Sequence, residues 1–149
     1  METNILKKDT FNMKFIGSKN LPSLEFNEDE GILKIYGRSI EPEADEDFWK
    51  PLRDKIDEYL DDPKNIILSI DLEYFATSSS KAMHKLFKMF QNKNVIKNKK
   101  EVLINWYYED EDIFEAGEDY KSMFPKINWK FIKKIKNDED SKKKKYFIY

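Results

Sequence analysis

The chain has no cysteine, which excludes disulfides, thiolate nucleophiles and cysteine-held metals together. A single histidine, His84, leaves little room for a zinc site or a Ser-His-Asp triad. No apolar run approaches the roughly 20 residues that cross a bilayer, and the first residues lack the apolar stretch of a signal peptide. The expectation is a cytoplasmic protein without direct membrane insertion. Glycine is scarce, and neither a Gly-rich phosphate loop nor a nucleophile elbow occurs. An excess of one charge is missing too: 27 basic residues stand against 29 acidic ones. Nothing in that balance asks for nucleic acid.

What the chain does have is apolar bulk. Hydrophobic residues make up 40% of it and aromatics 15%, beside 38% charged residues. That mixture fits a compact domain with a heavily charged surface, because the aromatics supply burial that a disordered chain lacks. With 149 residues, one domain with a real core is the natural reading.

Residues 1–10 are polar and without period, and are expected to be mobile. The domain is expected over 11–136. Leu24 and Phe26 end a first strand, Asn27 to Gly31 is a turn, and Ile32 to Tyr36 is a second strand closing a hairpin. Gly37 to Glu46 is a loop. From Asp45, the residues Phe48, Leu52, Ile56, Tyr59 and Leu60 fall on one helical stripe. Pro51 either opens the regular helix or kinks it. Asn65 to Phe75 alternates as a buried strand, with Ile66, Leu68, Ile70, Leu72 and Tyr74 facing one way. Ala82, Met83, Leu86, Phe87 and Phe90 form a second helical stripe, followed by a basic connection over Gln91 to Glu101. Val102 to Tyr108 is nearly continuous in apolar and aromatic residues, as an inner parallel strand should be. A third helix carries Ile113, Ala116, Gly117, Tyr120 and Phe124, and Gly117 inside it signals close packing. Trp129 to Ile135 is a last strand, and 137–149 is a charged tail with no structure assigned. The order is β-β-α-β-α-β-α-β: an α/β domain with an opening hairpin, three helices and a mostly parallel central sheet.

In such a sheet, functional loops gather at the C-terminal ends of the strands. Three segments meet that description: Gly37 to Pro42, Tyr74 to Lys81 and Tyr107 to Asp112. The middle one runs from strand to helix through Thr77, Ser78, Ser79 and Ser80. The first turn of a helix has unpaired N–H groups that a hydroxyl can cap, and the same groups favour an anion. A hydroxyl there can serve as a cap or as a phosphoacceptor, and in different states as both. Glu109 to Asp112 can complement a helix dipole or offer oxygens to a divalent cation, although the spacing fits no dedicated metal loop. Arg38 can meet a phosphate or answer nearby carboxylates. Three uses of these loops stay open. One is a phosphorylation-controlled binding module. The second is a small metal-dependent or acid–base enzyme using Glu73, Glu109 and Asp112. The third is a binding domain with no phosphorylation. His84 reads as a solvated residue on a lysine-rich helix face.

Several of these motifs together resemble the SiaC family of bacterial regulatory phosphoproteins. They are Gly37-Arg38-Ser39 with Pro42-Glu43, then Glu73-Tyr74-Phe75-Ala76-Thr77-Ser78-Ser79-Ser80-Lys81. Trp106 to Asp112 follows, with Glu115-Ala116-Gly117-Glu118-Asp119. The resemblance runs from about Phe15 to about Ile132. It implies a single STAS-like domain, no catalytic activity and no cofactor. It also implies phosphorylation at Thr77, with Ser78, Ser79 and Ser80 as alternatives. The implied partners are a dedicated serine/threonine kinase, a PP2C-type phosphatase and a diguanylate cyclase as output. They would contact Arg38, Ser39, Pro42, Glu43, Glu73, Tyr74, Lys81, Tyr107, Tyr108, Glu109 and Asp112. This chain departs from the pattern at Ala76, where the family has asparagine. It also carries an apparent extra residue at Ile40-Glu41, and its lysine-rich tail lies outside the pattern.

Overall fold

The structure is a computed structural model that describes residues 12–135 and 145–148. One seven-stranded sheet carries three helices. The strands are β1 (Asn12–Phe15), β2 (Ser23–Asn27), β3 (Ile32–Ser39), β4 (Ile66–Phe75), β5 (Val102–Tyr108), β6 (Asn128–Ile135) and β7 (Lys145–Ile148). They lie side by side in sequence order. Strands β3 to β6 pair in parallel, while β1–β2, β2–β3 and β6–β7 pair antiparallel.

The parallel centre and the opening hairpin match the expectation; the two edges extend it. Asn12–Phe15 joins β2 as a further hairpin strand, although Gly17 and Pro22 break the apolar pattern behind it. Lys145–Ile148, inside the tail that was given no structure, pairs with Ile132–Ile135. The expectation of a mobile N-terminus falls outside the described residues.

Each parallel pair is joined by a helix: α1 (Lys50–Tyr59), α2 (Thr77–Met89) and α3 (Glu111–Met123). Right-handed crossovers between successive neighbours put all three on one face. Burial agrees: in register, Leu33, Ile35, Leu68, Ile70, Ile104, Trp106 and Phe131 point into the helix layer and are buried. Among the described residues no helix covers the opposite face, and there Ile67 keeps 40% and Tyr36 41% of its surface.

Pro51 opens the regular helix α1 and does not kink it. The preceding Asp45–Trp49 turn is wound as a π-helix, with the Lys50 N–H reaching the Asp45 carbonyl. Proline lacks the N–H for a normal bond, so the ladder begins after it. Helix α2 continues as π-helix over Phe90–Lys97, so the basic connection at Gln91 to Glu101 is mostly helical. Buried Phe90 packs that extension into the core.

Gly117 packs as its position suggested. A Cβ there would lie 2.5 Å from the Trp106 Nε1 and 2.7 Å from a Phe131 ring carbon. Glycine lets α3 press directly on the sheet.

Candidate functional site

The C-terminal ends of β3, β4 and β5 form one edge, and most of the residues singled out above collect there. Strand β4 does not keep its alternation to the end. The pairing steps from Gly37–Leu72 to Arg38–Tyr74, leaving Glu73 as an extra residue in β4. Such a bulge reverses which face the following side chains meet. Phe75 therefore turns into the core against Trp106, with ring centroids 6.2 Å apart. Tyr74, expected to share the buried face of Leu72, is instead 54% exposed and sits opposite exposed Arg38. Gly37, across from the bulge, has φ +114, a conformation that side chains disfavour.

Helix α2 begins at once. Its N-cap is Ala76, which offers no side-chain cap, and Thr77 is the first helical residue. The hydroxyls do not cap the turn as the sequence allowed, because they lie one to four residues past the position from which a cap acts. Thr77 and Ser78 are exposed, Ser80 is half-buried and Ser79 is buried.

Ser79 and Ser39 form an internal clamp. The Ser79 hydroxyl donates to the Ser39 carbonyl at 2.9 Å and lies 2.6 Å from the Ser39 hydroxyl. The Trp49 indole N–H donates to that Ser39 hydroxyl at 2.9 Å. Both serines are sealed from solvent. Ser39 therefore fixes the loop and does not present itself as a partner contact, and Ser79 is not within reach of a kinase. On its other side, α2 is tied to α3: the Tyr120 hydroxyl donates to the Ser80 carbonyl at 2.8 Å and meets the Ser80 hydroxyl at 2.8 Å. Burial pushes the Tyr120 phenol up to about 12.

Next to this junction, Leu72, Glu73, Tyr108, Glu109, Asp110, Ile113 and Lys134 line a cleft of about 230 Å³. Lys134 is only 6% exposed; its ammonium bonds Asp71 and lies 3.6 Å from Glu109. A buried lysine needs such carboxylates. The cleft thus sets one of its carboxylates, Glu109, beside a protein cation, and among the described residues no three His, Asp or Glu groups converge on a metal-sized space. Asp110 caps α3, accepting from the Ile113 amide at 3.0 Å, while Glu111 and Asp112 add charge to its first turn. Asp112 is exposed and does not line the cleft, so the carboxylates Glu73, Glu109 and Asp112 do not form one group.

The remaining residues divide by exposure. Pro42, Glu43 and Lys81 are at the surface, and Tyr107 is half-buried on the helix-free face. Tyr108 is buried in the core against Phe114, centroids 4.8 Å apart. His84 is half-buried, its ring tilted against Phe124 with centroids 4.9 Å apart, so it is a packing residue more than the solvated one expected. Sequence reasoning passed over Lys134, Trp49 and Tyr120 as site elements. A lysine alternating with Ile132 in a strand was the one available sign for Lys134.

Comparison with known proteins now adds a family. Residues 16–134 match the family described as SiaC family regulatory phosphoprotein. Among solved structures, SiaC of Pseudomonas aeruginosa superposes with a TM-score of 0.70 at 21% identity, over 79% of this chain and 94% of that one. A second match is the crystal structure of the diguanylate cyclase SiaD in complex with its activator SiaC, also from Pseudomonas aeruginosa. It has a TM-score of 0.72 and 21% identity, over 80% and 97% of the two chains. The apo-SiaC crystal structure from the same organism gives 0.71 and 19%, over 80% and 97%. No curated protein sequence matches. With the family pattern running through all three strand-end segments, this chain belongs to the SiaC family of regulatory phosphoproteins.

Proposed function

We propose that this protein is a non-enzymatic binding module, switched by phosphorylation of Thr77. The observation that carries the reading is the placement of Thr77: exposed, first in an uncapped helix, and joined to the Arg38 strand end through the Ala76 N–H to Ser39 carbonyl bond of 2.9 Å. A phosphate there would bring close to two negative charges to a helix N-terminus that lacks an acceptor. It would also change the charge of an edge that already holds Glu73, Glu109 and Asp110. Ser78, equally exposed, is the second acceptor.

A kinase adds the phosphate in this scheme, and a PP2C-type phosphatase removes it. The unphosphorylated surface of Arg38, Pro42, Glu43, Glu73, Tyr74 and Lys81 binds the output protein. A diguanylate cyclase is the favoured output, since a SiaC forms a complex with the cyclase SiaD as its activator. The STAS-like description of the fold is supported by the strand–helix alternation with the three described helices on one face.

Phosphopeptide mass spectrometry after co-expression with the kinase tests the acceptor: phosphate is expected on Thr77 and absent in Thr77→Ala. Thr77→Glu is expected to weaken cyclase binding on the order of tenfold, within the usual range of coupling between sites. Modification mapped elsewhere, with Thr77 untouched, would refute the acceptor assignment.

A further inference from the structure

The first turn of α2 spends two serine hydroxyls on different neighbours, and the bonds through Ser79 have a definite direction. A hydroxyl has one proton to give. Ser79 gives its proton to the Ser39 carbonyl, so in the 2.6 Å contact the Ser39 hydroxyl must donate to Ser79. That leaves the Ser39 oxygen as acceptor for the Trp49 indole N–H. The relay runs from Trp49 to Ser39 to Ser79 and back to the Ser39 backbone, with every proton used and every atom buried.

We propose that Ser79 is a positioning residue that carries the state of Thr77 into the core, with Trp49 as the far end of the relay. The proposal rests on the Thr77 reading above. The amides of Thr77, Ser78 and Ser79 open α2 without partners among the described residues, since Ala76 supplies no cap. An anion on Thr77 draws those amides toward itself. Of the three residues, Ser79 alone has its side chain locked inside. Its amide belongs to the turn that responds, and its hydroxyl grips the end of β3. Any rotation that satisfies the amide changes the Ser79–Ser39 contact, and with it the acceptor of the Trp49 indole. Ser39 leads directly into the Pro42–Glu43 loop, and Trp49 closes the π turn ahead of α1. The displacement is thereby delivered to the surface assigned to the output partner.

The three tryptophans supply the assay. Their indole N–H groups donate to different acceptors: Trp49 to the Ser39 hydroxyl, Trp106 to the Ile113 carbonyl and Trp129 to the Phe124 carbonyl. In ¹⁵N spectra of the full chain, Thr77→Glu is expected to shift the Trp49 indole resonance. It should also speed its exchange with solvent by about five- to tenfold, the scale of one weakened buried hydrogen bond. Trp106 and Trp129 should hold. In a Ser79→Ala background, Thr77→Glu should no longer move Trp49; Ser79→Cys, of similar size and a weak donor, serves if the alanine variant does not fold. A Ser79 that merely stabilises the fold would lower the melting temperature and leave the response of Trp49 to Thr77 intact. An unmoved Trp49 in Thr77→Glu overturns the proposal, as does a shift that survives loss of the Ser79 hydroxyl. Either result leaves Thr77 phosphorylation standing, whereas mapping that finds Thr77 unmodified strikes the acceptor assignment and, with it, the state that this relay is proposed to carry.

Discussion

Substituting alanine for Gly117 sets two effects of opposite sign against each other. Helix propensity alone predicts a gain of about 1 kcal/mol, because alanine orders a helix more cheaply than glycine. The packing predicts a larger loss. The new methyl would lie 2.5 and 2.6 Å from two atoms of the Trp106 indole and 2.7 Å from a Phe131 ring carbon. Ordinary carbon contacts need about 3.5–4 Å, so three approaches are short by roughly 1 Å. Neither ring can step aside freely: Trp106 is fully enclosed, and its N–H holds the Ile113 carbonyl at 2.8 Å. Overpacking of this kind costs about 1–3 kcal/mol, and freeing the buried indole N–H about 1–3 more. Net of the propensity gain, Gly117→Ala should destabilise by roughly 1–5 kcal/mol, lowering the melting temperature by roughly 3–20 °C for a chain of this size. Urea unfolding followed by tryptophan fluorescence measures it, with exposed Glu118→Ala as the helix control expected to stay within about 0.5 kcal/mol. A midpoint equal to or above wild type in Gly117→Ala would show that α3 does not press on Trp106, and the packing argument would fall.

Two further outcomes follow from the α2 junction. Ala76→Asn should add the missing cap, since Ala76 already has the extended backbone of a cap residue, with φ −83 and ψ 168. A gain of about 1 kcal/mol in urea unfolding is expected, and no gain would mean that the first amides of α2 are already satisfied. Tyr120 supplies a pH dependence. Its folded value, raised by burial to about 12, lies above the unfolded value near 10. Its contribution to stability is therefore complete below about pH 10 and is lost as pH rises toward 12. Unfolding midpoints measured across that window should fall less steeply in Tyr120→Phe, and an unchanged slope would rule Tyr120 out as a contributor.

The central layout was legible because it depends on local pattern. Alternation in β4 and β5, helical stripes at Phe48 to Leu60 and at Ala82 to Phe90, and a lone glycine in α3 each reflect one interaction with the core. What stayed hidden depends on pairing between distant segments. The bulge at Glu73 exists only relative to Gly37 and Arg38, so alternation carried Tyr74 to the wrong face. The buried roles of Ser39 and Ser79 arise from a meeting across 40 positions of sequence, and nothing in a hydroxyl run marks which member turns inward. The edge strands failed for another reason. Asn12–Phe15 and Lys145–Ile148 are four residues each, too short to show a period. The lysines beside the last of them read as solvated tail.

Because each strand lies beside the one made just before it, the ribosome delivers the sheet in the order in which it is built. No strand has to wait for a later one before it finds its neighbour, and each helix can settle on a sheet already under way. Assembly can therefore advance like a zip from the hairpin end while synthesis continues, which keeps loop-closure costs small. In the finished protein the same order leaves the two four-residue strands, Asn12–Phe15 and Lys145–Ile148, at the margins, each paired on one side only, with the parallel strands β4 and β5 in the middle.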